Sequence, residues 1–252
     1  APSNNQAING TPHMPLSPDS VEAVVFDVFG TVVDWRTSVI REGRTLGKRK
    51  GIEADWDAFA DAWRGKYQPS MDRVRKGERP WTKLDDLHRE SLLELCDEFG
   101  IRGLSEDEIE AFNKAWHRLD PWPDSVEGLT RLKSKYIIAT LSNGNVALLL
   151  NMAKRAGLPW DAILGAEPAR AYKPTPESYL RTADFLGLPT RRVMLCAAHN
   201  DDLTAARSHG YRTAFVRRAD EYGPHQKKDL KAEHDFDVIA ESIVEVAEKL
   251  GC

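Results

Sequence analysis

Apolar positions in this chain gather in short runs that end on polar residues, and "VVFDVFGT" at 24–31 sets the pattern. Residues 21–28 read as a buried strand. "YIIATLS" at 136–142, "DAILGA" at 161–166 and "RVMLCAA" at 192–198 repeat it, "RTAFV" at 212–216 adds a fifth strand, and residues 240–250 form a closing helix. Continuous apolar runs suit strands covered on both faces. The helical patterns between them suit right-handed crossovers, so a parallel sheet in an α/β protein is expected.

This rhythm breaks between about 36 and 120, where helical segments follow one another without a strand. In "ADWDAFADAWRGKY" the residues Trp56, Phe59, Trp63 and Tyr67 share one helical stripe. Ser105 and Glu108 have the spacing of a capping box, and Asp124 with Glu127 is expected to cap the helix after the turn "DPWPDS". The pattern therefore predicts a discontinuous core, 14–35 and 119–252, carrying an inserted helical cap at 36–118. Residues 1–13 are polar and read as an expression remnant or disordered tail ahead of a natural start at Met14.

Composition narrows the partners. With 252 residues, 41% of them hydrophobic, the chain can bury one substantial core and a smaller lobe. Its 35 basic and 39 acidic residues are interspersed at net charge −4, which offers no footprint for nucleic acid and no basic membrane patch. Cys96, Cys196 and Cys252 lie far apart without metal-ligand spacing, as suits a reducing cytosol. No apolar run has the length to span a bilayer, and no signal peptide is evident. The expectation is a soluble cytoplasmic protein handling a small molecule.

Open parallel sheets bind ligands beyond the carboxyl ends of their strands. Asp27 and Thr31 follow the first strand; Ser142, Asn143 and Gly144 the second; Lys173 and Tyr179 the third; His199, Asn200, Asp201 and Asp202 the fourth. Each alone is explained by a cap or a turn. Together they supply a nucleophile, small polar donors, a cation and a group to handle water. His199 reads equally as a general base or as a helix cap. His88, His117, His209, His225 and His234 show no partner pattern and read as surface or core residues. The charged segment 217–237 reads as solvated, with Glu221 to Pro224 at a pocket rim.

"FDVFGT", "LSNG", "YKP" and Asp202, in this order, resemble the four motifs of the haloacid dehalogenase superfamily across residues 20–250. That resemblance implies a Rossmann-like parallel-sheet core with a mobile, mainly helical cap inserted after the first strand. It also implies Asp27 as nucleophile. Most members are magnesium-dependent phosphatases with DxDxT as first motif, yet the second aspartate is here Phe29, and the acid expected four residues before Asp202 is Ala198. Magnesium prefers hard oxygen ligands, so both changes weaken the phosphatase alternative, although Asp201 remains as a substitute acid.

Phe29, beside Val28, instead resembles the L-2-haloacid dehalogenase branch, which uses no cofactor. In that branch Arg64 matches the halide-binding arginine from the cap, although Gly65 replaces a larger polar residue. The resemblance implies that Thr31 orients Asp27, Lys173 keeps it charged, Ser142 holds the substrate carboxylate, and Asn143 joins Arg64 at the halide. Tyr179 matches a further family position, and Asp202 places Lys173 and the hydrolytic water. His199 and Ala197 depart from the family, which carries asparagine and serine there. The implied activity is hydrolysis of short 2-haloalkanoic acids to 2-hydroxyacids through an aspartyl ester, and the implied assembly is a homodimer. The alternatives are a magnesium-dependent phosphatase of a small phosphate ester or a non-catalytic small-ligand binding protein.

Overall fold

The computed structural model describes residues 20–252, so the expectations for residues 1–13 and Met14 fall outside it. Strand β1 (Ala23–Phe26) leads into the two-residue β2 (Val33–Asp34). Five helices follow: α1 (Trp35–Lys50), α2 (Trp56–Gly65), α3 (Tyr67–Arg75), α4 (Leu84–Glu98) and α5 (Glu106–Asn113). The chain returns through β3 (Asp120–Pro121), α6 (Ser125–Lys133), β4 (Ile137–Thr140), α7 (Val146–Ala156), α8 (Ala166–Ala169) and α9 (Pro176–Phe185). It ends with β5 (Val193–Ala197), α10 (Asn200–Ser208), β6 (Arg212–Val216), β7 (Val238–Ala240) and α11 (Ile243–Lys249).

Five strands form a parallel sheet in the order β4-β1-β5-β6-β7, with the first strand near its centre. Alternation along β1 sends Val24 and Phe26 into one apolar cluster and Ala23 and Val25 into another. Both faces are covered, which explains the unbroken hydrophobic run. The first cluster continues into the inserted helices, whose stripe of Trp56, Phe59 and Trp63 is buried on α2. Tyr67 extends that stripe but opens α3. Phe59 stacks on Phe112 at 5.7 Å, and Trp63 meets Trp116 edge-on at 5.4 Å. Such pairs add about 0.5–1.5 kcal/mol each beyond their buried area. Ser105 and Glu108 form the expected capping box on α5. A two-stranded antiparallel ribbon, β2 with β3, ties the two ends of the helical insertion together.

Three local expectations are corrected. "DAILGA" is no full strand, because it touches β4 and its extension through only two isolated bridges, Ala139 to Ala162 and Ser142 to Gly165. Side chains replace the ladder there: Asp161 accepts from Ile138 N at 2.9 Å, and Thr140 Oγ1 accepts from Leu164 N at 2.9 Å. Asp124 does not cap α6, since its carboxylate instead takes two hydrogen bonds from Arg218 and one from Ile243 N. The segment 217–237, read as solvated, buries Arg218 and Glu221, and β7 begins directly after it at Val238. No described helix is long and apolar enough to cross a membrane.

Candidate active site

Beyond Phe26 the chain leaves the sheet, and the Asp27 carboxylate stands at the strand's carboxyl end with 8% of the residue exposed. Gly30 turns the loop with φ of +86°, a conformation that side-chain-bearing residues avoid. Thr31 then folds back, donating from Oγ1 to Asp27 Oδ2 at 2.7 Å while accepting from Ala198 N at 2.9 Å. Its carbonyl accepts from Arg218 Nε at 3.0 Å, and Arg218 is clamped by both oxygens of Asp124. The loop after Asp27 is thereby fixed from two later strand ends.

Lys173 arrives from the segment between α8 and α9, with Nζ 3.1 Å from Asp27 Oδ1 and 2.6 Å from Asp202 Oδ2. Tyr179, on α9, donates its hydroxyl to Asp202 Oδ1 at 2.7 Å. Asn143 accepts from Lys173 N at 2.9 Å and donates to the Tyr67 hydroxyl at 3.1 Å. From the cap, Arg75 Nε donates to the Lys173 carbonyl at 2.9 Å, joining α3 to this sheet edge. Four strand ends and the cap thus converge on one carboxylate.

His199 approaches the other Asp27 oxygen, its Nδ1 3.0 Å from Oδ2, so it does more than begin α10. Its side chain makes no N-cap hydrogen bond. Burial alone would raise the pKa of Asp27, but the Lys173 and His199 charges outweigh it and hold the carboxyl well below its ordinary range. Burial would likewise lower Lys173, and Asp202 and Asp27 instead hold it well above its usual value. Asp27 and Lys173 are therefore an ionised pair at neutral pH.

Arg64 comes from the end of α2. Its guanidinium carbon lies 3.9 Å from the Tyr67 ring centre, 5.4 Å from that of Trp35 and 5.5 Å from that of Phe29. Nη1 is buried without a hydrogen-bond partner. A buried cation walled by aromatic faces, with a donor unspent, is a receptor for a small anion.

A cavity of about 630 Å³ opens here, lined by Asp27, Arg64, Tyr67, Asn143, Lys173, Tyr179, His199 and Asp202 among others. Val28, Phe29, Thr31 and Ser142 are fully or almost fully buried behind it. Ser142 Oγ is already engaged, accepting from Gly144 N at 3.1 Å. Tyr222, within the segment expected at a rim, lines the cavity, and so do Gln68 and Lys228, which were missed because nothing in their local sequence marks them. Glu221, expected at a rim, is instead 1% exposed and bonded to His199 Nε2 at 2.6 Å.

The donors do not fit magnesium. Both Asp27 oxygens face cationic side chains, and the positions that would bring further acids hold the buried Phe29 ring and the Ala198 methyl.

Sheet edge, inserted helices and charged cavity together define a capped α/β hydrolase. The chain belongs to the haloacid dehalogenase-like hydrolase family, whose model matches residues 21–210. It is 30% identical over 210 residues to the (S)-2-haloacid dehalogenase 4A of Burkholderia cepacia, an alignment covering 79% of this chain and 84% of that one. A solved L-2-haloacid dehalogenase is 49% identical with a TM-score of 0.89, covering 91% of this chain and 98% of its own. A solved defluorinating L-2-haloacid dehalogenase is also 49% identical, with a TM-score of 0.91 and coverage of 95% and 100%.

Proposed function

We propose that the protein hydrolyses the carbon–halogen bond of short L-2-haloalkanoic acids to D-2-hydroxyacids, with no metal. The observation that carries this reading is the juxtaposition of an ionised, buried Asp27 with the unspent Arg64 donor in an aromatic cage. The named relatives, two of them 49% identical, support the same substrate class.

Asp27 attacks the α-carbon from the side opposite the halogen, so the new C–O bond forms as the C–halogen bond breaks and the configuration inverts. Lys173 keeps the nucleophile charged and orders it. Arg64, with Asn143 nearby, receives the halide as its charge develops. The segment after Asp27 and the Ser142 loop receive the substrate carboxylate. Water then adds to the Asp27 carbonyl carbon, its proton passing to Asp202, which Lys173 and Tyr179 hold in place. Three free cysteines are in keeping with a cytoplasmic setting.

Halide release from 2-chloropropionate and the monohaloacetates, set against phosphate release from an aryl phosphate with and without magnesium, tests the assignment. Metal-independent halide release is expected. Magnesium-dependent phosphate release without halide would overturn it.

A further inference from the structure

Lys173 is not the only cation on Asp27. His199 lies between two carboxylates, Nδ1 at 3.0 Å from Asp27 Oδ2 and Nε2 at 2.6 Å from Glu221 Oε1. Ionised carboxylates only accept hydrogen bonds, so each ring nitrogen must carry a proton. The ring is an imidazolium clamp with no lone pair directed at the site.

Glu221 is built into the nucleophile loop. Trp35 Nε1 donates to its Oε2 at 3.0 Å, and a Cβ at Gly30 would come within 2.0 Å of that same oxygen. The glycine of the first motif therefore leaves room for this carboxylate as well as a turn. The groups facing His199 are Asp27 from the β1 loop and Glu221 with Tyr222 from the segment after β6. Lys173 lies across Asp27, and Asp201 and Asp202 stand in the first turn of its own helix. Burial would lower the pKa of His199, but Glu221 and Asp27 raise it well above the ordinary imidazole value.

The two Asp27 oxygens differ. Oδ2 meets both Thr31 and His199, whereas Oδ1 meets Lys173. Oδ1, with fewer donors upon it, is the better nucleophile, which leaves Oδ2 as the carbonyl oxygen of the ester. We propose that His199, held as an imidazolium by Glu221, joins Thr31 in an oxyanion hole for hydrolysis of the Asp27 ester, and that Glu221 is a positioning residue for it.

This rests on the ester-forming reading above. As water adds to the Asp27 carboxyl carbon, the C=O electron pair moves onto Oδ2, where the His199 Nδ1–H and Thr31 Oγ1–H receive it. Asp202 takes the water proton. Collapse breaks the bond from that carbon to Oδ1, and the departing 2-hydroxyacid oxygen recovers the proton from Asp202. Asp27 is left as a carboxylic acid carrying one oxygen from water, and its remaining proton passes through Asp202 to solvent, which restores the carboxylate. His199 keeps its protons throughout.

Rapid-quench turnover of 2-chloropropionate, following halide and the alkyl-enzyme by intact mass across pH, tests the assignment. In His199→Ala the halide burst persists while ester decay slows about 10²–10³-fold, the cost of one oxyanion donor, so the adduct accumulates. In Glu221→Gln the Trp35 N–H retains the amide oxygen, which turns the amide nitrogen toward Nε2. Above its lowered pKa His199 is then neutral with its proton on Nδ1, so there the donor survives without its charge. Ester decay slows roughly tenfold, because charge-assisted hydrogen bonds are the stronger kind.

The pH dependence separates this from a base role. An imidazolium donor is lost as pH rises through its pKa, so removing the Glu221 charge moves the falling alkaline limb toward neutrality. If Gln at 221 prevents folding, His199→Ala carries the test. Ester decay that rises with pH through the His199 titration, or wild-type decay in both variants, would overturn the proposal. Wild-type enzyme giving neither halide nor adduct would overturn the ester reading beneath it.

Discussion

Two histidines, His88 buried and His199 partly exposed, differ in charge state. His88, in the cap helix α4, is 3% exposed, stacks on Trp116 at 4.6 Å and meets Trp63 edge-on. Both its ring nitrogens are buried without hydrogen-bond partners, and burial pushes its pKa down to about 3. His199, at the sheet edge, is gripped by two carboxylates and driven the other way. The residue type is the same. What differs is that the cap supplies aromatic faces, which pack an imidazole as a neutral plate, whereas the chain after β1 and after β6 supplies two carboxylates that bind it as a cation. The cap is built to exclude water, and the core edge is built to stabilise charge.

The comparison breaks most visibly at the charged edge. Asp27→Asn removes the nucleophile and should lower kcat on the order of 10⁴- to 10⁶-fold in a halide-release assay, with the fold intact by circular dichroism. Arg64→Gln removes the charge and shortens the side chain. It should slow halide formation by about 10²–10³-fold in single-turnover measurements, as expected when a developing anion loses its donor.

His88 tests the apolar side. Its folded pKa is depressed, so the neutral form is the native one. Stability from this group is complete above its unfolded value near 6.5 and is lost as pH falls toward about 3. The loss amounts to on the order of 4 kcal/mol across that window. In His88→Leu this limb should flatten in urea titrations at successive pH values, while stability near neutrality changes little. Ser105→Ala, which removes the capping box of α5, should have the smallest effect, about 1 kcal/mol and a few degrees in Tm by calorimetry.

How far the chain could be read without coordinates follows the same division. Strand β1 and its aspartate were legible because a doubly covered strand has a continuous apolar run and its carboxyl end is where parallel sheets place polar chemistry. The α2 stripe was legible from its 3.6-residue period. "DAILGA" was misread because the side chains of Thr140 and Asp161 satisfy backbone groups that a strand would have paired, and composition does not reveal such a replacement. Glu221 was placed at a rim because it sits in a heavily charged segment. Its burial depends on Trp35 and Gly30, nearly two hundred residues away in sequence, and no local pattern encodes that contact. His199 was read equally as a general base or a helix cap, and its protonation, which depends on Glu221, was illegible for the same reason.

The central claim is that Asp27, and not water, makes the first bond to substrate. A single turnover in heavy-oxygen water, with enzyme in excess over 2-chloropropionate, tests it most directly. The account predicts that the first hydroxyacid released carries ordinary oxygen from Asp27, while the peptide containing Asp27 gains one heavy oxygen. Heavy oxygen in the first product with Asp27 unlabelled would show direct attack by water and contradict it.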